Sequence, residues 1–351
     1  MNFVQHPLKI FGLNGSVEYA EKVVEELREM IDDLDLSQHI EKDFEDGECY
    51  AKSADGRQGN VRGHNCFVIQ SLFTDSNLSV SDRFMRLCIF CGSLRSASAN
   101  EVIPVIPHMA WARQDRKTAS RAPVTTKIIS SMLEACGVDR VLFFDVHNKA
   151  AEENAFSLRV PTDNLEAKSL HAEWAANYLR DSPKIVVLSP DSGGVQRAER
   201  FRTALIKKLK LLTGSGENAN WPLAVFDKMR RENGDIQGAN IVGDVENADV
   251  LLYDDMISTS GTMVKASKAV SRFGGKVSAL MATHGIFVGN ANRILHEVDA
   301  KIVVTDTIPD VRNRLDDENR EKLVVVTTTT MVAQAIRKIN SGTGSLSELI
   351  S

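Results

Sequence analysis

The sequence predicts an α/β protein made of two similar doubly wound domains with largely parallel sheets. Short β-prone runs alternate with helical stretches almost throughout the chain. These runs hold four to six apolar residues bounded by polar ones, the pattern of strands that helices cover on both faces. The length, 351 residues, supplies two cores at roughly 100–200 residues per domain.

In chain order, residues 8–12 read as a short strand, and Ser16 opens an acidic amphipathic helix over 17–30. A strand at 66–70 leads to a helix over 81–95. Strands at 101–107 and 140–145 repeat the pattern, with a helix near 127–136 between them. The second half continues with strands at 184–189, 223–227, 249–254, 276–281, 301–305 and 322–327. A boundary near 160–165 separates a first domain, 1–160, from a second, 161–330, and a C-terminal helix at about 331–351 is expected to pack back on the first. Three polar stretches read as loops: 49–63, 212–220 and 230–238. The third follows a strand end, where mobile catalytic loops often sit.

Composition excludes several classes. Forty-two basic side chains against forty-seven acidic ones give a net charge of −5, unlike the basic balance of a nucleic-acid binder. No run of about 18 apolar residues is present, so no membrane-spanning helix is expected. Met-Asn-Phe-Val-Gln-His at the start shows no basic region followed by an apolar core, so no secretory signal is expected either. The cysteines are Cys49, Cys66, Cys88, Cys91 and Cys136. Cys88 and Cys91 have CxxC spacing, but their apolar helical setting and the lack of a second pair favour buried structural thiols over a zinc or redox site. Reduced thiols suit a cytoplasmic protein.

The sharpest chemical signal runs from Val250 to Thr262. An apolar strand leads into two carboxylates, Asp254 and Asp255, then turns through Ser258, Thr259, Ser260 and Gly261 into a helix near Met263. Backbone N–H groups, the Ser258, Thr259 and Thr262 hydroxyls and the helix N-terminus would converge on an anion. The carboxylates could accept from sugar hydroxyls or approach magnesium. The bland reading is a capped strand-to-helix turn; two acids, three hydroxyls and a glycine at this spacing favour the phosphate cradle. The segment resembles the phosphoribosyl-diphosphate loop of the type I phosphoribosyltransferase fold.

Other segments narrow that resemblance. Ala-Arg-Gln-Asp-Arg-Lys at 112–117, Phe-Glu-Asp-Gly-Glu at 44–48, Asp-Val-His at 145–147, Ser-Pro-Asp-Ser-Gly-Gly at 189–194 and Asp-Lys-Met-Arg at 227–230 are similar to motifs of ribose-phosphate diphosphokinases. They occur in order over essentially the whole chain. The resemblance implies transfer of the β,γ-diphosphoryl group of ATP to the C1 hydroxyl of ribose 5-phosphate, with release of AMP. It implies Lys228 and Arg230 as a mobile catalytic pair, and His147 as a catalytic and ATP-phosphate contact. Phe44, Asp46, Glu48, Arg113, Gln114, Asp115 and Lys117 would bind ATP. Asp254, Asp255, Ser258, Thr259, Ser260, Gly261 and Thr262 would hold the ribose phosphate. His147 and Asp191 would serve magnesium, Mg2+. The 44–48 turn would come from a neighbouring subunit, which implies a homo-oligomer, dimer-based or hexameric; nucleic acid and membrane are not expected partners.

The chain departs from the family pattern at several points. Ser258 stands where aspartate is usual, and Met229 and Arg231 replace a basic residue and a proline. Residues 148–156 replace a glutamine- and phenylalanine-rich stretch, and 49–60 and 213–220 are long. These changes leave three alternatives. The acceptor could be a larger 5-substituted ribose such as ADP-ribose, the enzyme could be a phosphoribosyltransferase, or the chain could be a non-catalytic regulatory homologue. Retention of Lys228, Arg230, His147 and both loop aspartates counts against the last.

Overall fold

The computed structural model describes residues 6–213, 221–230 and 236–350, and of 228–230 and 236–239 it describes the strand backbone. The chain forms two units. The first runs to Glu166 and also takes Thr307–Pro309 and the chain from Thr328; the second holds Ala167–Asp306 and Asp310–Thr327.

In the first unit the elements are β1 (Leu8–Gly12), α1 (Val17–Arg28), β2 (His39–Asp43), β3 (Cys49–Ser53), β4 (Asn65–Ile69), α2 (Val80–Ser96), β5 (Glu101–Ile106), α3 (Thr125–Ala135), β6 (Val141–Phe144), α4 (Lys149–Ala155) and β7 (Thr162–Leu165). Five strands make a parallel sheet in the order β1-β4-β5-β6-β7. Every residue of β4 is buried, as double-sided covering requires. Gly12 lets α1 approach β1, because a Cβ there would lie 2.5 Å from the Ala20 Cβ. At the start of α2, Ser79 and Asp82 form a reciprocal capping box, which satisfies two of the helix's orphan N–H groups. Pro104 sits in the middle strand of this sheet and has no N–H to give. The β5–β6 ladder accordingly begins only at Val105, opposite Leu142. The stretch at 160–165, read as a boundary, carries β7, so the first sheet is completed before the chain leaves it.

Part of the first expected loop is a strand. Cys49–Ser53 pairs antiparallel with His39–Asp43, and Gly47 turns the hairpin with φ +89°. Only Ala51 of β3 is fully buried, so the strand lacks the apolar run that marks the others. Arg86 of α2 anchors the hairpin through Asp43, with Glu41 3.8 Å away.

The second unit comprises α5 (Lys168–Tyr178), β8 (Ile185–Ser189), α6 (Val195–Thr213), β9 (Leu223–Arg230), β10 (Ile236–Val242), β11 (Asp249–Ile257), α7 (Gly261–Arg272), β12 (Lys276–Gly285), α8 (Ala291–Leu295), β13 (Lys301–Thr305), α9 (Asp317–Lys322) and β14 (Leu323–Val326). Its sheet has the order β10-β9-β8-β11-β12-β13-β14 and is parallel except for the β9–β10 pair. Side chains alternate across it with period two. Val186, Leu188, Val250 and Leu252 pack with α7 on one face, while Ile185, Val187, Leu251 and Tyr253 pack with α5 and α6 on the other. Leu212 and Thr213, expected in a loop, belong to α6; the remainder of that expected loop, 214–220, lies outside the described residues. The third expected loop is shorter than anticipated, because Ile236–Val242 continues as an antiparallel strand on β9. Residues 231–235 lie outside the described residues.

The chain then returns to the first unit with α10 (Thr329–Ser341) and α11 (Ser347–Ile350). There α10 packs on α1, with the Tyr19 and Thr328 hydroxyls 2.7 Å apart. Asn65 also donates to the Asn340 side-chain oxygen at 3.0 Å. Among the described residues no helix is long and apolar enough to cross a membrane.

One buried charge site in the first unit has a measurable consequence. Glu152 of α4 is 2% exposed against α3, and among the described residues its Oε1 has no hydrogen-bond partner. Burial pushes its pKa from 4.5 up to about 7, with the Ser130 hydroxyl pulling the other way. A carboxyl raised on folding contributes its stability below the unfolded value, and that contribution fades as pH rises through the folded value. Glu152→Gln cannot ionise and should therefore gain on the parent between about pH 5 and pH 8, by up to roughly 3 kcal/mol. Denaturant midpoints at the two pH values check this; a difference that does not grow with pH contradicts it.

Candidate active site

In the second unit, β8 and β11 are neighbours, while the chain leaves β8 for β9 on one side and leaves β11 for β12 on the other. Such a reversal opens a crevice at the carboxyl ends of the two strands, the usual ligand position in an open α/β sheet. Two of the candidate segments arrive there. Asp191 follows β8, and its Oδ1 accepts from the Gly194 N–H at 3.0 Å. The Ser189 hydroxyl donates to the Asp191 carbonyl at 2.7 Å and tightens the same turn. Asp254 and Asp255 lie within β11, which continues past them to Ile257 rather than ending at them as the sequence suggested. A Cβ at Gly194 would lie 3.6 Å from Asp254 Oδ1 and 3.7 Å from Asp191 Oδ1. The two carboxylates therefore converge beside a backbone position without a side chain.

Arg197, in the first turn of α6, donates to both acids: its Nη1 is 2.7 Å from Asp254 Oδ1 and 3.2 Å from Asp255 Oδ1. Burial and the adjacent Asp255 carboxylate raise the Asp254 pKa, and Arg197 works against that rise. A cation is needed because two neighbouring carboxylates in a shielded place resist joint ionisation. Sequence reasoning missed Arg197. Its signal was a basic residue shortly after the Asp191 turn, obscured by the other charges of a largely amphipathic helix.

The cradle itself is built from backbone. Ser260 takes a left-handed conformation, φ +64°, and α7 starts at Gly261 without a side-chain cap. Among the described residues the buried Ser260 hydroxyl has no hydrogen-bond partner. A Cβ at Gly261 would meet nothing within 4 Å, so this part of the turn faces open space. First-turn N–H groups, reinforced by the helix dipole, suit a phosphate. Ser258 and Thr262 are half-buried and Thr259 is exposed along the same turn. The Ser258 carbonyl accepts from Val288 N–H at 3.0 Å, which pins the loop to the segment after β12.

Lys228 and Arg230 stand two apart on β9, opposite Ala239 and Ile236 of β10. Their side chains, like residues 231–235, lie outside the described part of the structure.

In the first unit, the ladders place β5 beside β6, so the chain after each strand emerges at the same sheet edge. Gln114 is fixed after β5: its N–H donates to the Trp111 carbonyl at 2.8 Å, and its Oε1 accepts from Thr125 Oγ1 at 2.6 Å. Arg113 and Lys117 are exposed, whereas the Asp115 side chain is 7% exposed. His147 follows β6 and is half-buried. The turn before it is held by Asp145 N–H to the Leu165 carbonyl, 2.8 Å, and Val146 N–H to Asn164 Oδ1, 3.0 Å. Asn148 joins the two segments by donating to Asp115 Oδ2 at 2.6 Å.

Phe44, Asp46 and Glu48 occupy the tip of the β2–β3 hairpin. Phe44 is 45% exposed, with Lys42 Nζ 4.7 Å from its ring centre and the Tyr50 ring edge-on at 6.1 Å. Asp46 accepts from Glu48 N–H at 3.1 Å and closes the turn. Among the described residues no hydrogen bond or ring contact joins this tip to Arg113 or Gln114, so the proposed adenine residues are not assembled into one pocket by these contacts.

The donor set suits a hard divalent cation. Asp191 offers carboxylate oxygen, and among the described residues no protein donor occupies its Oδ2. No group of three or more His, Cys, Asp or Glu able to cage a metal occurs among the described residues. Magnesium does not need one, since it keeps several waters and takes substrate oxygens.

Comparison with known proteins accounts for most of the chain. Residues 8–137 match the N-terminal domain of ribose phosphate pyrophosphokinase, and residues 228–351 match the phosphoribosyl synthetase-associated domain. The ribose-phosphate pyrophosphokinase of Haemophilus ducreyi is 35% identical over 338 residues, 95% of this chain and 96% of that protein. That of Vibrio parahaemolyticus is 34% identical over the same shares. Phosphoribosylpyrophosphate synthetase from Mycobacterium smegmatis superposes with a TM-score of 0.80 at 27% identity, covering 96% of this chain and 100% of that one. The chain belongs to the ribose-phosphate pyrophosphokinase family.

Proposed function

We propose that this protein transfers the diphosphoryl group of ATP to the C1 hydroxyl of ribose 5-phosphate, giving phosphoribosyl diphosphate and AMP. The observation that carries the reading is the left-handed entry to α7, where Ser260 gives no side-chain cap, just past the Arg197-bound acid pair on β11. It is a phosphate cradle adjoining a place for sugar hydroxyls, in a chain related to these enzymes over nearly its whole length.

The C1 oxygen attacks the β-phosphorus, the bond from the β-phosphorus to the α–β bridging oxygen breaks, AMP leaves with that oxygen, and the hydroxyl proton is released. Such a transfer needs positioning and charge more than covalent help. The α7 N-terminus, with Ser258, Thr259, Ser260, Gly261 and Thr262, holds the 5-phosphate. Asp254 and Asp255 accept from the ribose 2- and 3-hydroxyls, and Arg197 keeps them in place and favours their ionised forms. Arg113, Gln114, Asp115 and Lys117 bind ATP, with His147 at its phosphates. Phe44 stacks on adenine, and Asp46 or Glu48 accepts from its exocyclic amine. That turn reaches the base from a neighbouring subunit, and the working form is a cytoplasmic homo-oligomer. Lys228 and Arg230 stabilise charge at the transferring phosphorus. Magnesium is assigned to Asp191 of the second unit and to the ATP phosphates at His147 of the first; when bound it neutralises phosphate charge.

The direct test follows AMP release and product mass with ATP and a panel of acceptors. Ribose 5-phosphate should turn over with a diphosphoryl mass gain, and ADP-ribose should not. Absence of AMP with every ribose acceptor would overturn the reading in favour of a non-catalytic homologue. Lys228→Ala should lower kcat by two or more orders of magnitude with little change in the KM for ATP; near-normal turnover removes Lys228 from the site. Arg197→Gln should raise the KM for ribose 5-phosphate about tenfold or more, while the KM for ATP stays within about twofold. Equal changes for both substrates would mean that Arg197 supports the fold rather than the acid pair.

A further inference from the structure

Asp115 poses a local electrostatic problem. Its carboxylate is 7% exposed, and a shielded carboxylate is costly unless it is hydrogen-bonded. Two neighbours offer it donors. Arg116 is 81% exposed with Nε 3.9 Å away, beyond hydrogen-bond range. Asn148 Nδ2 donates to Asp115 Oδ2 at 2.6 Å. The Asn148 amide is used at both ends, because its Oδ1 accepts from Ala151 N–H at 3.2 Å as the N-cap of α4. That second bond decides which way the amide points and turns its NH2 toward Asp115.

The same segment is tied at a second point. Gln114 Oε1 accepts from Thr125 Oγ1 at the start of α3, and the Gln114 carbonyl accepts from Thr126 N–H at 3.3 Å. Among the described residues Arg113 and Lys117 carry no comparable tie, and they project from a stretch whose backbone is set by its neighbours. Residue 148 also begins the stretch in which this chain departs from the family pattern.

We propose that Asn148 is a positioning residue for the ATP-binding segment 113–117. Its amide fixes Asp115 from the start of α4, so that Arg113 and Gln114 are presented in one arrangement before ATP arrives. Without the donor, Asp115 turns outward to recover water, and the segment follows it. The loss falls on ATP binding and not on the chemical step, since both ends of the Asn148 amide are engaged with protein groups. This inference rests on the ATP reading of 113–117 given above.

Two functions of Asn148, capping and donating, are separable by substitution. Serine caps a helix about as well as asparagine but is too short to reach Asp115. Asn148→Ser should therefore keep the parent Tm and kcat while raising the KM for ATP about tenfold, with the KM for ribose 5-phosphate unchanged. Asn148→Asp also caps well but sets a carboxylate against Asp115, and should raise the KM for ATP at least as much. Asn148→Ala should show the KM effect together with a lower Tm. In an Asp115→Asn background, Asn148→Ser should add less than twofold, because the bond it removes joins these two side chains. If Asn148→Ser leaves the KM for ATP unchanged while Arg113→Ala raises it, Asn148 only caps α4 and the proposal fails alone. If Arg113→Ala leaves the KM for ATP unchanged as well, the ATP reading of the segment fails and takes the proposal with it. Equal loss in Asn148→Ser and Asn148→Ala, with both at lowered Tm, would overturn it by showing a structural role.

Discussion

The ladder between β8 and β11 is the contact on which the second unit's chemistry depends. Leu252 lies opposite Leu188, so the turn carrying Asp191 leaves the sheet beside Asp254 and Asp255. A shift of β11 by one residue would invert its two faces. Val250 and Leu252 would face α5 and α6, and Leu251 and Tyr253 would face α7. Apolar burial on the two faces therefore sets the position of the acids, although no acid takes part in that burial. The stacked pair Phe201–Tyr253, 4.1 Å between ring centres and 4° between planes, ties α6 to β11 on one face. Arg197 lies on that same helix, one turn before Phe201, so core packing also determines where the cation reaches the acids.

The two units hold their candidate segments by different means. In the second, the cradle relies on backbone: a left-handed residue, the start of a helix and a glycine facing open space. Side chains there can vary without removing the N–H groups that would meet a phosphate. In the first, the segment after β5 relies on side-chain bonds from Thr125, Thr126 and Asn148. Such bonds are lost with single substitutions, and a buried carboxylate left without its donor costs more than the bond contributed.

Sequence reading succeeded where burial is symmetrical and failed where it is not. Strands β4, β8 and β12 are apolar or small almost throughout because both faces are covered, and their runs stand out without structural knowledge. β3 was missed because it lies outside the main sheets and turns only Ala51 into the core; its Tyr50 and Lys52 read as loop. β10 was missed for a related reason: Gln237, Gly238 and Asn240 interrupt this antiparallel strand, so it lacks the apolar run of a covered one. The turn into α7 stood out because hydroxyls and glycine cluster within a few residues of the acids. Arg197 was not, since its partner acids lie 57 and 58 positions later and only the fold brings them within reach.

Asn148 belongs to a further class, in which the residue is visible but its second role is not. Asn148 caps α4 by accepting from Ala151 N–H, and that local bond gives no sign of a second role. Its other partner is Asp115, 33 positions earlier. The two become neighbours because the β5–β6 ladder brings the chain after each strand to the same edge. One end of the amide is committed to α4, so the other has a fixed direction and can act on a loop that α4 does not otherwise explain. A short helix in a divergent stretch thereby acquires a defined task. It turns a local cap into a constraint on the segment that carries Arg113 and Gln114.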